Sequence, residues 1–411
     1  MDRKRALTLR ELRIIALGIV NRMPHSTHRI ALIYDARLTY DLKVMTGVAA
    51  YLQEGHHYSV FIEENALKDQ RLPDLRTWEG DGIVADFDDP AVARLVMQSH
   101  LPVVGFGGGY GWYAEGSVPY LYTNNKAIAT LAADHFLDRG FKHFAFCGYA
   151  RSPINGWSQE REEVFVKYIK KKAGSCAVFQ DSHRLNHDWA GVQRSVGEWL
   201  RKLPKPVGVM AANDNRGRQV LEACRAYELA VPNDVAVIGV DNDELLCRLS
   251  SPPLSSVEQG ARRLGYAAAA LLDRMIQGRN PRQRHLVIDP LSIVTRQSTD
   301  VLAIDDPKVA KAMAFIREHA TESIKVPHVV NAVAISRSGL ETRFAAALGY
   351  TIRTAIRNTQ LERARRLVLE TDMPLKQVAS EAGFRSVQHM TTLFVKAFGQ
   401  SPGQHRRALT V

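Results

Sequence analysis

The stretch PLKQVASEAGFRSVQHMTTLFVKAFGQSP, from Pro374 to Pro402, contains a short apolar segment, a tight turn with a glycine and a longer segment that ends at another glycine. The chain carries a similar pattern 50 residues earlier. The paired positions are Ser336 and Ser386, Leu340 and Met390, Phe344 and Phe394, Leu348 and Phe398, and Gly349 and Gly399. Apolar residues four apart that lead to a glycine are typical of one helix face with a left-handed cap.

Each copy therefore predicts a helix-turn-helix, with Ser336 or Ser386 as the N-cap of its second helix. Between the copies, TIRTAIRNTQLERARRLVLET predicts a connecting helix with one apolar stripe and several arginines. A helix of about 20 residues spans about 30 Å. Because one turn of DNA is roughly 34 Å long, this C-terminal part of the chain, called the tail below, is predicted to place two recognition helices in adjacent major-groove segments.

The candidate DNA contacts are the positions of the two recognition helices that lie outside the apolar stripe. They are Arg337, Ser338, Glu341, Thr342 and Arg343 on the first helix, and Arg385, Gln388, His389, Thr391 and Thr392 on the second. These side chains are suited to base edges or phosphates, although a solvated surface residue stays the alternative at each single position. Neither helix is rich in arginine, which predicts modest affinity per module and favours binding as a homodimer.

The tail resembles the AraC-type DNA-binding domain in both halves, through ISRSGLETRF in the first and EAGFRS with the following phenylalanines and FGQSP in the second. The charge distribution agrees with this resemblance. Residues 307–411 hold 16 Lys and Arg against 7 Asp and Glu, whereas residues 30–306 hold 31 against 34. A basic tail on a mildly acidic body indicates that the tail alone meets a polyanion.

Residues 29–300 alternate short apolar strands, such as RIALIYD and DVAVIGVDND, with amphipathic helices. Continuous apolar strands of this kind indicate parallel sheets that are covered by helices on both faces. Ligands of such sheets bind beyond the carboxyl ends of the strands. The candidate ligand-binding residues there are Asp35, Asp86, Asn124, Asn213, Asp214, Asp241 and Asn242. A helix cap is the alternative role for each of them.

Carboxylates and amides suit a polyol, because each sugar hydroxyl both donates and accepts hydrogen bonds. Aromatic faces cover the C–H side of a sugar ring, and Trp112, Trp157 and Trp189 are available. The residues themselves thus predict a small polar ligand.

The body resembles the LacI-type regulators and the periplasmic sugar-binding proteins in YTNNKAIATLAADHFLDRGFKHFAFCG, REEVFVKYI and LSSVEQGARRLGYAAAALLDRMIQG. This resemblance implies ligand contacts at Arg161, Asp214, Asp241 and Gln259. The related family often has aspartate at the position of Asn124. Through GDGIVADFDD, PVVGFGGGY, VIGVDN and LSSVEQGAR, the chain from Arg29 onward is similar to the regulators of xylose operons. This similarity implies a pentose effector, with D-xylose the expected sugar.

The fold class expected is therefore α/β, a two-lobed periplasmic-binding-protein-like effector domain, followed by an all-α domain with two helix-turn-helix motifs. The predicted organisation is a basic N-terminal extension at 1–28, the sugar-binding domain at 29–296, a linker at 297–307 and the DNA-binding domain at 308–411. RNA polymerase is a further candidate partner, beside promoter DNA, the sugar and a second protomer.

Several functions are disfavoured by motifs that the sequence lacks. The scattered Cys147, Cys176, Cys224 and Cys247 predict reduced thiols in a cytoplasmic protein. The glycine-rich GFGGGYG has no Lys-Ser/Thr of a phosphate loop, and no catalytic signature occurs, so we expect no cofactor, no metal, no enzyme activity and no membrane association. A transport-type sugar-binding protein, a sugar-active enzyme and a regulator that responds to another monosaccharide remain the alternatives.

Overall fold

The computed structural model describes residues 27–54, 58–63, 75, 78–108, 118–180, 189–279, 285–300, 304, 306–322, 324–371 and 373–407. Nearly all of the predicted N-terminal extension, together with Trp112, lies outside the described residues. The chain divides into two compact units, Met1–Asp138 with His143–Asp300, and Arg139–Lys142 with Val301–Val411. Within the described residues, no helix is both long enough and apolar enough to span a membrane.

The first unit contains two lobes, each built on a six-stranded sheet, which confirms the predicted two-lobed α/β class. The first sheet has the order β11-β5-β4-β3-β1-β2, and all of its strands are parallel. Its strands are β1 His28–Ile33, β2 Tyr58–Glu63, β3 Gly82–Asp86, β4 Val103–Gly107, β5 Tyr120–Thr123 and β11 His285–Ile288. The helices of this first lobe are α1 Thr39–Leu52, α2 Pro90–Met97 and α8 Ala261–Ile276.

The second sheet has the order β12-β10-β9-β8-β6-β7, in which only β12 runs antiparallel to its neighbour. Its strands are β6 His143–Cys147, β7 Ala177–Val178, β8 Val207–Ala211, β9 Val235–Val240, β10 Ser255–Glu258 and β12 Ser292–Val294. The helices of this second lobe are α3 Asn125–Leu137, α4 Gly156–Ala173, α5 Trp189–Lys202, α6 Asp214–Ala226 and α7 Glu244–Leu249.

The chain crosses between the lobes three times, after β5, after β10 and after β11. Gln259 lies at the second crossing, where β10 leads into α8. The predicted linker 297–307 starts with a 3-10 turn, Gln297–Thr299, in which Ser298 and Thr299 are buried against the second lobe. Its Ser298 hydroxyl donates to the Val237 carbonyl at 2.6 Å, so these first linker residues belong to the folded body.

The tail contains seven helices among its described residues: α9 Pro307–Glu318, α10 Val326–Val333, α11 Arg337–Leu348, α12 Ile352–Glu370, α13 Leu375–Glu381, α14 Val387–Phe398 and α15 Pro402–Arg407. The predicted caps are confirmed. Ser336 and Ser386 accept from the backbone N–H three residues ahead, and Gly349 and Gly399 end α11 and α14 in the left-handed region. The predicted connecting helix is α12, with 19 residues.

Two separate apolar cores hold the tail, and α12 contributes to both. Its Ile352 and Ile356 pack in the first core with Leu340 and Phe344 of α11. The second core contains Leu361, Ala364 and Val368 of α12 with Met390 and Phe394 of α14. The repeated sequence pattern thus corresponds to two similar helical units that share one helix.

In the body, helix α1 packs on α8 at a close crossing that two glycines permit. A Cβ on Gly265 would lie 1.8 Å from the Val44 carbonyl oxygen, and a Cβ on Gly47 would lie 2.0 Å from the Arg262 carbonyl oxygen. Both obstacles are backbone atoms, which cannot rotate away. The crossing therefore fixes α1 against α8 and with it the loop that precedes α1.

We expect Gly265→Ala to destabilise the body by about 2 kcal/mol or more, because α1 has to move away from α8 to admit the new methyl group. Urea unfolding followed by circular dichroism measures this loss. Arg263→Ala, at an exposed position two residues earlier on the same helix, serves as the control and should leave stability nearly unchanged. Equal stability of Gly265→Ala and the wild type would contradict the close crossing.

Candidate functional site

A cavity of about 440 Å³, partly open to solvent, lies between the lobes of the body. It is lined from the first lobe and the crossings by Leu38, Thr39, Tyr40, Asp88, Gly108, Thr123 and Gln259, and from the second lobe by Trp157, Arg161, Asn213, Asn215 and Asp241. The cavity faces the carboxyl ends of the parallel strands of both sheets, as the topology predicts. Most of its lining residues have polar side chains, and Trp157 contributes one indole.

The guanidinium of Arg161 is the centre of the cavity wall. Arg161 is on α4 and is only 3% exposed. Its Nε donates to Asn125 Oδ1 at 2.8 Å, its Nη1 to the Ala212 carbonyl at 2.7 Å and its Nη2 to Gln259 Oε1 at 2.9 Å. The ring of Trp157 lies against its other face, with 4.9 Å between the Cζ atom and the ring centroid. Arg161 is thereby held in one orientation before any ligand arrives.

Asp241 and Gln259 form the next part of the wall. The Gln259 amide donates to the Asp241 carboxylate, and Gln259 Oε1 also accepts from the Thr123 hydroxyl at 3.0 Å. Burial raises the pKa of Asp241 to about 6, although the charges of Arg161 and Lys43 oppose that shift. Asp241 has φ of 106° and the next residue, Asn242, has φ of 47°, so two non-glycine residues in succession have positive φ.

Asp88 supplies a second carboxylate from the opposite lobe. It accepts from the Gly108 backbone N–H at 2.8 Å. Burial raises the pKa of Asp88 to about 6, against the opposing effects of that hydrogen bond and of the Arg161 charge. The cavity thus has a carboxylate on each side, and the positively charged guanidinium of Arg161 is part of the same wall. Such an arrangement can accept hydrogen bonds from, and donate them to, a ligand with several hydroxyl groups.

Four of the predicted ligand residues line this cavity together: Arg161, Asn213, Asp241 and Gln259. Asp35 and Asp86 do not. The Asp35 carboxylate pairs with Arg37 and accepts from the Arg37 backbone N–H at 2.9 Å. Asp86 is buried and accepts from the Asp88 backbone N–H at 2.9 Å, which makes it a support for Asp88.

Asn124 and Asp214 also lie outside the cavity lining, and each stabilises local backbone. Asn124 is the N-cap of α3, accepting from the Ala127 N–H at 3.0 Å and donating to Asp289 at 2.8 Å. Asp214 accepts from the Ser256 hydroxyl at 2.6 Å and from the Asp243 N–H at 2.7 Å. Asn124 therefore has the helix-cap role that was the alternative for each candidate. Asp214 instead fixes the turn that follows β9.

The sequence analysis missed Asp88 as a lining residue, although Asp88 and Asp89 both stand just before helix α2, where a helix N-cap is expected. Only Asp89 has that role, since its side chain accepts from the Ala91 N–H at 2.6 Å. The signal for Asp88 was the alternation in ADFDD: Phe87 points into the core, so Asp86 and Asp88 share the other side. Of the predicted tryptophans, Trp157 lines the cavity and Trp189 is 49% exposed.

The predicted DNA contacts of the first recognition helix α11 are all exposed. Three of them, Arg337, Glu341 and Arg343, already have partners within the tail. Arg337 Nε donates to Glu341 at 2.9 Å, and Arg343 Nη1 donates to Asp306 at 2.8 Å. The remaining predicted positions of this helix, Ser338 and Thr342, are short and neutral.

The second recognition helix α14 differs in this respect. Arg385, Gln388, His389 and Thr392 are exposed, and Thr391 is half-buried. Within the described part of the chain, neither the Arg385 guanidinium nor the Gln388 side-chain amide donates a hydrogen bond. These two groups are therefore available to an external acceptor, whereas the arginines of α11 would first have to leave their carboxylates.

A metal site is not formed by the described residues, since no group of three or more His, Cys, Asp and Glu among them could hold an ion. The cysteines among the described residues are free thiols. The chemistry of the cleft is therefore carried by the hydrogen-bonding groups and the indole already described.

Three family models match successive parts of the chain: an XylR N-terminal domain over residues 29–126, a periplasmic binding protein-like domain over residues 133–299 and a helix-turn-helix domain over residues 329–408. The xylose operon regulatory protein of Escherichia coli (strain K12) is 37% identical over 382 residues, which cover 92% of this chain and 97% of that protein.

Two further likenesses extend over almost the full length. The xylose operon regulatory protein of Haemophilus influenzae is 33% identical over 388 residues, or 93% of this chain and 99% of that protein. A solved structure of the xylose-binding transcription activator XylR has a TM-score of 0.76 and 35% identity, and the match covers 94% of this chain and 99% of that chain.

A polar cleft between two α/β lobes, joined in one chain to a pair of helix-turn-helix units, defines a DNA-binding transcription regulator with a periplasmic-binding-protein-like domain. At these identities and coverages, the chain belongs to the family of xylose operon regulatory proteins. The expected resemblance of the body to sugar-binding proteins and of the tail to helix-turn-helix regulators is thereby confirmed.

We expect Asp88→Asn to stabilise the protein at pH 7 by about 1–2 kcal/mol. The folded-state pKa of Asp88, about 6, lies above its unfolded value, so its contribution to stability is complete at low pH and is lost as pH rises through about 6. The asparagine does not ionise and keeps an acceptor for the Gly108 N–H. Urea unfolding at pH 5 and pH 7.5 measures the effect.

The neighbouring Asp89→Asn is the control, because asparagine also caps a helix and this side chain is outside the cavity lining. It should leave stability at pH 7.5 close to that of the wild type. An Asp88→Asn variant that is less stable than the wild type at pH 7.5 would show that the buried carboxylate is a net stabiliser.

Proposed function

We propose that this regulator responds to a pentose, with D-xylose as its effector, and that it activates genes for pentose use. The observation that carries the proposal is the lining of the cleft, where Arg161, Asp88 and Asp241 stand beside the indole of Trp157. A pentose offers hydroxyl groups in several directions and one apolar C–H face. The relatives that are 33–37% identical are xylose operon regulatory proteins, which supports the same sugar.

The wall chemistry of the cleft suits a monosaccharide. Each carboxylate accepts from two hydroxyls, while Arg161 and the amides of Gln259 and Asn213 supply donors. The Trp157 ring covers one face of the sugar.

The response follows from the two-sided construction of the cavity. Asp88 and Tyr40 belong to the first lobe, and Asp241 and Arg161 to the second, so a sugar that contacts both sides favours the closed arrangement. Closure can change DNA affinity only by as much as the sugar prefers the closed state. Couplings of this kind are typically about 1–3 kcal/mol, a factor of about 5–150 in affinity.

The tail binds DNA, and we assign the larger share of base recognition to its second unit. Arg385, just before α14, and Gln388 in its first turn can donate to guanine or adenine without first breaking a contact in the described part of the chain. The arginines of α11 are paired with Glu341 and Asp306, which suits this helix to a phosphate and shape contact. As a homodimer, the protein would bind two such sites, and RNA polymerase would be a further partner. It would act in the cytoplasm and would catalyse no reaction.

We expect D-xylose, and neither L-arabinose nor D-ribose, to tighten binding to promoter DNA beside pentose-utilisation genes. Fluorescence anisotropy of labelled DNA at fixed salt, with each sugar and without sugar, measures this. A gain of about tenfold with D-xylose alone is the expected outcome. Equal affinity under all conditions, with isothermal titration showing no heat for D-xylose, would overturn the effector assignment and leave the DNA-binding role standing.

The double variant Arg385→Ala/Gln388→Ala should lose more than tenfold in affinity for the promoter, because two side chains that contact bases are each worth about 1–3 kcal/mol. Its affinity for D-xylose should stay as in the wild type, since both residues are outside the body. Arg337→Ala is the matched control on the first unit and should lose less. Equal losses for the control and the double variant would contradict the assignment of base recognition to α14.

A further inference from the structure

Lys43 is a half-buried cation that joins the two lobes but does not line the cavity. It is on α1 of the first lobe, and its side chain is 19% exposed. Its ammonium donates to the Asp241 backbone carbonyl at 2.6 Å and pairs with the carboxylate of Glu258. Both partners belong to the second lobe, at the ends of β9 and β10. The lysine therefore has its partners only while the lobes are closed.

Lys43 contacts the turn formed by Asp241 and Asn242, which directs the Asp241 carboxylate into the cavity. Asp241 and Asn242 both have positive φ, a conformation that non-glycine residues adopt rarely and only when surrounding contacts hold it. Within the second lobe, the Asn242 N–H donates to the Ser256 hydroxyl at 2.9 Å, and Arg296 donates to Asn242 Oδ1 at 2.7 Å. The Asp241 carbonyl receives its charged donor from the first lobe.

The position of Lys43 is set by a rigid part of the first lobe. It lies one turn before Gly47, where α1 crosses α8 so closely that no side chain fits between them. Helix α8 in turn packs on β3 and β4 of the first sheet. Helix α1 therefore moves with the first lobe as one rigid part, and only the Lys43 side chain itself is flexible.

A second link closes the lobes beside Lys43. The Thr39 hydroxyl, one turn earlier on α1, donates to the Asp243 carboxylate, which is the N-cap of α7. Glu258 also accepts from the Asn242 side-chain amide at 3.2 Å. The ammonium, the carboxylate of Glu258 and the strained turn therefore form one connected group, next to but outside the ligand wall.

We propose that Lys43 is a positioning residue that couples lobe closure to the ligand-facing carboxylate of Asp241. In the closed form, Lys43 fixes the strained turn and so keeps Asp241 directed at the ligand; when the lobes open, this support is withdrawn. Lys43 then raises sugar affinity without contacting sugar, mainly by slowing release. This inference rests on the proposed function, because it takes the cleft to be the sugar site.

The test is stopped-flow and calorimetric measurement of D-xylose binding to the full-length Lys43→Met variant, which keeps the length of the side chain and removes the ammonium. We expect the Kd to rise by about tenfold, with most of the change in the dissociation rate. The melting temperature without sugar should stay close to that of the wild type, while the rise in melting temperature on adding sugar should shrink. A lysine with only a structural role would lower the melting temperature without sugar instead.

Arg37→Met is the matched control. It removes one positive charge from the same lobe, where Arg37 is paired with Asp35 and has no hydrogen bond or ion pair to the described residues of the second lobe. It should leave the dissociation rate unchanged. An equal effect of Arg37→Met and Lys43→Met would overturn the proposal in favour of a general effect of charge.

Glu258→Gln provides a second variant, which keeps the Asp241 carbonyl contact and removes the charge partner. It should weaken binding less than Lys43→Met, and the double variant should be no weaker than Lys43→Met alone. Additive losses, or an unchanged dissociation rate in Lys43→Met, would overturn the coupling. If the wild-type protein itself binds no pentose, the proposed effector fails first, and the two failures are thereby distinguished.

Discussion

The cleft depends on one buried guanidinium. Arg161 is almost fully removed from water, and a buried cation is tolerated only when its donors are satisfied and negative charge is near. Each of its three nitrogens has an acceptor, on Asn125, Ala212 and Gln259. These acceptors come from α3, from the end of β8 and from a crossing between the lobes, so the need to satisfy one charge fixes the relative position of three elements of the wall.

Keeping the carboxylates of Asp88 and Asp241 buried lowers the stability of the folded protein. The same burial is the reason that a ligand with hydrogen-bond donors would stabilise them. Burial raises the pKa of each to about 6, which means that the folded protein pays for keeping them charged at neutral pH. Sugar hydroxyls would supply donors to carboxylates that sit on opposite lobes. A ligand that satisfies both at once gains more from the closed cleft than from either lobe alone, which is the differential affinity that a regulator needs.

The periodicity of the apolar residues made the architecture predictable, but it could not decide which of the polar residues face the ligand site. The tail's spacing of four residues and its glycines predicted both helical units with their caps, and the apolar strands predicted where a ligand cleft opens. A carboxylate at a strand end can face the cleft or hold the backbone, however, and the sequence does not separate the two. Asp214 and Asn124 hold backbone, whereas Asp88 faces the cavity only because Phe87 takes the core position before it.

The tail imposes a constraint of its own on how a sugar can control DNA binding. Because α12 supplies Ile352 and Ile356 to one core and Leu361 and Ala364 to the other, neither helical unit can turn without disturbing the shared helix. A dense core does not deform continuously. The spacing of the two recognition helices within the chain is therefore fixed by packing, and an effector has to act on the tail as a whole.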